Sequence, residues 1–231
     1  MRVTADLIYP PLCALCQCRL SSPAELICEP CQTQLLPVST PCCDRCGFPL
    51  ETPDQSCEAC QGRTLHFLRA RSALMFNQPV QALIHLLKYR RRRSIGVFLG
   101  ECLGKIIVCE PWFAHIDTIV PLPLHSVRLR ERGYNQSERI AKGFADYTGV
   151  PMNTGLVVRR RPTKTQTRLS IEQRRENVKD AFATPPGQSL KGRHIVLVDD
   201  VLTTGASLDS CARALVDGGA AAVYALTVAR A

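Results

Sequence analysis

The sequence predicts an α/β chain, with a mostly parallel sheet flanked by helices and preceded by a small cysteine-rich module. Three observations lead there. Ten of the thirteen cysteines fall between Cys13 and Cys60. From residue 66 onward, short apolar runs alternate with helical periodicity, a pattern of strands and crossover helices that covers a parallel sheet on both faces. One apolar run leads directly into a loop of carboxylates, hydroxyls and a glycine ahead of a helix. A chain of 231 residues accommodates one well-filled domain and a smaller module. We place these at residues 65–231 and 1–64.

The first module contains four CxxC pairs: Cys13/Cys16, Cys28/Cys31, Cys43/Cys46 and Cys57/Cys60. Eleven residues separate the first two pairs and ten separate the last two. Each CxxC turn can grip one side of a tetrahedral ion, so two pairs suit one four-cysteine structural zinc site. Four pairs make two sites, in tandem or interleaved, with Cys18 and Cys42 as alternate ligands or spectators. A redox role is disfavoured because its signature is one CxxC in a βαβ setting. A catalytic zinc needs an open position, and two sets of four leave none. Residues 1–60 carry three arginines and no lysine against seven carboxylates. Thiolate-bound zinc adds further negative charge, so the module is expected to be a scaffold or protein contact and not a nucleic-acid finger.

The second domain opens with helical spacing at Val80, Leu83, Ile84 and Leu87, then at Ile95, Phe98, Leu99, Cys102, Leu103 and Ile106. Residues 117–121 read as a short buried strand, 137–148 as a helix and Val157–Val158 as a short strand. His194–Val198 is an apolar strand, followed by a helix on Leu208, Cys211, Ala212 and Leu215. Gly218-Gly219 stops that helix before a last strand over Val223–Val228.

The strand–loop–helix junction is Asp199-Asp200-Val201-Leu202-Thr203-Thr204-Gly205-Ala206-Ser207. Open α/β sheets bind ligands beyond the carboxyl ends of their strands. A small-residue loop at a helix N-terminus offers N–H groups and hydroxyls to a phosphate. Asp199 and Asp200 repel an anion and so must face another part of the ligand, for which sugar hydroxyls and a shared Mg²⁺ are suitable. A second segment carries Arg128, Arg130 and Arg132 before Gly133. Read as extended chain, its alternation by two aims all three arginines one way, apt for a pyrophosphate. A third, Arg159–Phe182, is long, polar and basic, and a loop of that length in a compact domain is expected to be a functional lid or disordered. From Arg128 to Lys179 there are 13 basic and 5 acidic residues, so the overall charge of +9 is concentrated here. That surplus points to polyanionic partners.

The Asp-Asp loop resembles the 5-phosphoribosyl-1-pyrophosphate (PRPP) motif of type I phosphoribosyltransferases. Together with the cysteine module, Lys88-Tyr89, Val120-Pro-Leu-Pro-Leu-His125, Arg132-Gly-Tyr-Asn-Gln136 and Thr165-x-x-Arg168 with Arg174 and Asn177, it resembles the bacterial ComF family. The resemblance implies a type I phosphoribosyltransferase-like fold and structural zinc, one or two ions. It implies PRPP held with Mg²⁺ by Asp199, Asp200, Thr203, Thr204, Gly205, Ala206, Ser207, Arg128, Arg130 and Lys88. In an active enzyme Asp199, Asp200 and Arg132 would be catalytic. Family members are linked to DNA uptake, transformation or use of external DNA, handling single-stranded DNA on the cytosolic side. The expectation is therefore a PRPP- and single-stranded-DNA-binding competence protein, its zinc module contacting DNA-uptake or recombination proteins. The alternatives are a working transferase with an unidentified acceptor and a silent PRPP-binding scaffold. The first residues lack a charged start and apolar run, and no apolar stretch approaches about 20 residues, so a cytoplasmic protein without a membrane span is expected.

Overall fold

The computed structural model describes residues 10–161, 178 and 180–231. Among the described residues, six strands and six α-helices take labels in chain order. The central sheet has the order β1-β6-β5-β2, where β1 is Arg69–Met75, β2 Thr118–Pro121, β5 His194–Leu202 and β6 Ala222–Arg230. All three pairings are parallel. A two-stranded antiparallel ribbon joins β3 (Val158–Arg159) to β4 (Phe182–Ala183). The helices are α1 (Glu29–Gln32), α2 (Gln78–Tyr89), α3 (Arg93–Ile107), α4 (Ser126–Arg132), α5 (Gln136–Thr148) and α6 (Ala206–Asp217).

The two faces of the sheet follow from the period of two along β5 and β6. Val196, Val198, Leu226 and Val228 pack toward α2, α3 and α5. Ile195, Leu197, Val223 and Ala225 pack toward α6, on Leu208, Cys211, Ala212 and Leu215. Every residue of β6 is buried, which is why it reads as a nearly continuous apolar run. Strand β1 was not anticipated. Its sequence, RARSALM, hides a buried arginine and a serine among the apolar positions. Arg71 is neutralised there by Glu110 Oε1 at 2.7 Å and donates to the carbonyls of Cys43 and Asp44.

The cysteine module is built onto this core. Cys13, Ala14, Leu20, Ile27 and Cys31 belong to the same buried cluster as the α2 and α3 side chains. The outer edge of β1 is covered by the module's chain: Val38 N–H donates to Ala73 O, Met75 N–H to Leu36 O and Ala70 N–H to Arg45 O. An edge that would invite foreign strands is thereby closed.

Helices α3 and α5 approach at glycines. A Cβ on Gly143 would lie 2.0 Å from Val97 O, and one on Gly100 2.0 Å from Ile140 O. Gly143→Ala is therefore expected to destabilise the fold. Alanine gains about 1 kcal/mol of intrinsic helix propensity, but forcing two backbones apart costs about 3 kcal/mol, the upper range for overpacking. A net loss of about 2 kcal/mol should appear as a lower urea midpoint with an unchanged slope.

Candidate functional site

The loop after β5 forms as its sequence dictates. Gly205 takes φ +75°, a conformation that glycine adopts without strain, and turns the chain into α6. Asp209 N–H closes the first helical turn on Gly205 O at 2.8 Å, and Ala206 N–H meets Thr204 Oγ1 at 3.4 Å. Asp199, Thr203, Thr204, Gly205, Ala206 and Ser207 line a recess of about 50 Å³ at the helix N-terminus. The recess is thus lined by residues nearly contiguous in sequence.

The two carboxylates diverge in their partners. Ser137 Oγ, at the start of α5, donates to Asp199 Oδ1 at 2.7 Å. Lys88, in the last turn of α2, pairs with Asp200, whose side chain is buried. Burial first, and the neighbouring Asp200 second, push Asp199 up to about 7 against the opposing pull of Ser137 and Lys88. Burial alone would lower Lys88; the Asp200 and Asp199 charges outweigh it, and Lys88 lies above its ordinary value. The cap of α5 is Asn135, whose Oδ1 accepts from Ser137 N–H, which frees the Ser137 hydroxyl for Asp199. No local signal could have paired residues 62 positions apart.

The arginine segment differs from expectation. It is helical over Ser126–Arg132, because His125 Nδ1 caps its first turn and Gly133 at φ +78° ends it. On a helix, residues two apart point nearly opposite ways. Arg128 and Arg132 therefore line one cleft of about 360 Å³ with Lys88, Tyr89, Arg91 and Glu131. Arg130 is on the other side, so the three do not converge. Arg132 lies 5.7 Å over the Tyr89 ring and is held by Gln136 Oε1. Lys88 lines this basic cleft and also pairs with Asp200, joining cleft and loop. Within the third segment, Pro162 to Asn177 and Lys179 lie outside the described residues; Arg159 stacks on Phe182 at 5.2 Å.

The cysteines resolve into two tandem groups. The sulfurs of Cys43, Cys46, Cys57 and Cys60 lie within 4.8 Å of one another, as do those of Cys13, Cys16, Cys18 and Cys28. The separations Cys46–Cys57 (3.5 Å), Cys43–Cys60 (3.9 Å) and Cys16–Cys28 (3.5 Å) match the edge of roughly 3.8 Å that a tetrahedron with 2.3 Å zinc–sulfur bonds requires. Both donor sets fit zinc. In the first, Cys18 lies with three of the paired cysteines. Gln17, at φ +63°, turns the chain so that Cys18 O accepts from Cys13 N–H and the Cys18 sulfur enters the group. Cys31 is buried beside it, its thiol against Cys28, Cys16 and Cys13. Cys42 stays outside both groups. Among the described residues, no helix is long and apolar enough to cross a membrane.

Comparison with known proteins places these features together. Residues 4–61 match the double zinc ribbon domain, and residues 111–231 match the phosphoribosyl transferase domain. The chain is 32% identical over 227 residues to the DNA utilization protein YhgH of Salmonella typhimurium, covering 97% of this chain and 99% of that one. It is 32% identical to the Escherichia coli K12 protein of the same name, with equal coverage. It is 29% identical to competence protein F of Haemophilus influenzae, covering 95% and 96% of the two chains.

Proposed function

The chain belongs to the ComF-type family of DNA utilization and competence proteins, which join a double zinc ribbon to a phosphoribosyl transferase domain, and from that premise we propose that it binds PRPP with Mg²⁺ next to a groove for single-stranded DNA. One observation carries the reading: a carboxylate pair, an N–H and hydroxyl cradle and a basic cleft meet at the carboxyl end of β5, joined by Lys88.

In this reading the 5′-phosphate occupies the Thr203–Ser207 loop, where helix N–H groups and hydroxyls donate to its oxygens. Asp199 and Asp200 accept from the ribose hydroxyls. Bound Mg²⁺ supplies charge neutralisation at the pyrophosphate. Lys88, Arg128 and Arg132 face that end, and Gln136 fixes the orientation of Arg132. Arg130, on the opposite side of its helix, serves a longer polyanion better than it serves PRPP.

For DNA, the supporting feature is Tyr89. It is 64% exposed on the rim of the basic cleft, beside the run Arg90–Arg93. An exposed ring flanked by guanidinium groups is a stacking platform for unpaired bases. Arg132 over the Tyr89 ring holds it in place.

The test is a calorimetric titration of PRPP–Mg²⁺ into the zinc-loaded protein, alone and with saturating oligonucleotide, together with a salt series for the oligonucleotide. Binding of PRPP is expected in both cases. With about four phosphate contacts, oligonucleotide affinity should fall roughly 50-fold between 50 and 200 mM salt. Absence of PRPP binding would overturn the first half of the reading, and a flat salt response would overturn the second.

A further inference from the structure

The carbonyl side of the phosphate loop is held by two arginines, and both are anchored on the second cysteine group. Arg230, at the end of β6 and 5% exposed, donates from Nη1 to Leu202 O at 3.1 Å and to Thr203 O at 2.9 Å. Its guanidinium lies 5.1 Å over the ring of Phe48, two residues beyond Cys46. Phe48 O in turn accepts from Cys43 N–H at 2.8 Å. Arg63, three residues past Cys60, donates from Nη2 to Thr204 O and from Nη1 to Ala59 O at 2.9 Å. Arg45, inside the same cysteine group, donates to Arg63 O at 3.2 Å. Three successive loop carbonyls, at Leu202, Thr203 and Thr204, thus accept from guanidiniums whose other contacts are in the Cys43–Cys60 ribbon.

Peptide planes are rigid, so fixing a carbonyl fixes the N–H on the opposite side of the same plane. Holding the carbonyls of residues 202–204 orients the amides of Thr203, Thr204 and Gly205, groups that must converge on an anion. The two guanidiniums also place positive charge behind the loop, where it favours an anion in front. We propose that Arg63 and Arg230 are positioning residues for the phosphate loop, and that through them the second zinc ribbon sets the loop's competence to bind a phosphate. The ligand arm of this inference rests on the PRPP reading; the loop geometry does not.

The experiment compares the zinc-loaded wild-type chain with Arg63→Ala, Phe48→Ala and Cys57→Ser. Hydrogen exchange of the amides at residues 203–207 is read without ligand, and PRPP–Mg²⁺ affinity is measured separately. Arg63→Ala and Phe48→Ala should retain the full zinc content and the exchange protection of β1 and α3. Their loop amides should exchange at least about 10-fold faster, as expected for a lost hydrogen bond to a charged donor. Cys57→Ser, losing one zinc, should accelerate the same amides, and adding Arg63→Ala to it should add little. A general structural role would instead raise exchange across the sheet. PRPP affinity should fall at least about 10-fold in parallel. Unchanged loop exchange in Arg63→Ala and Phe48→Ala overturns the inference, whatever Cys57→Ser does to folding. A wild-type chain that ignores PRPP overturns the ligand reading, while the exchange result still decides the positioning role.

Discussion

Asp199→Asn is expected to weaken PRPP–Mg²⁺ binding by at least about 100-fold while leaving the protein folded. A carboxylate accepting from a sugar hydroxyl makes a charge-assisted bond of about 1.5–3 kcal/mol. Two such bonds lost correspond to 100-fold or more in affinity. Folding should tolerate the change, because burial and the neighbouring Asp200 already disfavour ionisation of Asp199. Asp200→Asn is a poorer test, since it leaves partly buried Lys88 without its partner and confounds binding with stability.

The pH dependence gives the same experiment a second readout. Asp199 titrates near 7 when folded, against about 4 for an unfolded aspartate. Between those values the folded chain holds a proton that the unfolded chain has released. This group's contribution to stability is therefore present below about pH 4 and is lost as pH rises through about 7. Binding runs the opposite way. The liganded carboxylate must be ionised, so affinity should fall as pH drops below about 7, and binding at pH 6.5 should release a proton. Calorimetry in two buffers of different ionisation enthalpy measures that proton. Asp199→Asn should abolish both the release and the slope; unchanged affinity in this variant would refute the assignment of the loop.

Removal of zinc should have the largest effect on the fold. Metal analysis is expected to find about two zinc ions per chain, and Cys46→Ser about one. Structural zinc binds small cysteine modules with about 10–16 kcal/mol near neutral pH, comparable to the whole stability of a typical domain. Here the consequence should extend past the ribbons. Cys13, Leu20, Ile27 and Cys31 share one buried cluster with Leu83, Leu87, Ile95 and Leu99, and the chain at Leu36–Val38 covers β1. Chelation should lower the melting temperature by about 10 °C or more and expose β1 to hydrogen exchange. A zinc-free chain with unchanged melting would remove the metal from the account of the fold.

How far these sites were legible depended on how their residues are spaced. The loop after β5 is nine consecutive residues, so its carboxylates, hydroxyls and glycine could be read directly from Asp199 to Ser207. The cysteine pairs were legible for the same reason, each CxxC being a local turn, whereas their division into two tandem groups came from the structure. The approach of Cys18 to the first group was not legible, because it depends on the left-handed turn at Gln17. The arginines failed instructively. Arg128, Arg130 and Arg132 fit an extended pattern by spacing alone, but the caps at His125 and Gly133 make the segment a helix and turn Arg130 away. Strand β1 escaped notice because Arg71 is paid for by Glu110, 39 residues away.

By itself, then, the amino-acid sequence determined the α/β class, the double cysteine module and the strand–loop–helix junction at Asp199–Ser207, because periodicity, CxxC turns and such a junction are local properties of the chain. Only the tertiary structure decided that Ser137 and Lys88 divide the two aspartates between them, that the ribbons share the core of the sheet, and that Arg63 and Arg230 tie the loop to the second cysteine group. Those contacts join residues far apart in sequence, and only the packing of the sheet and ribbons brings them within bonding distance.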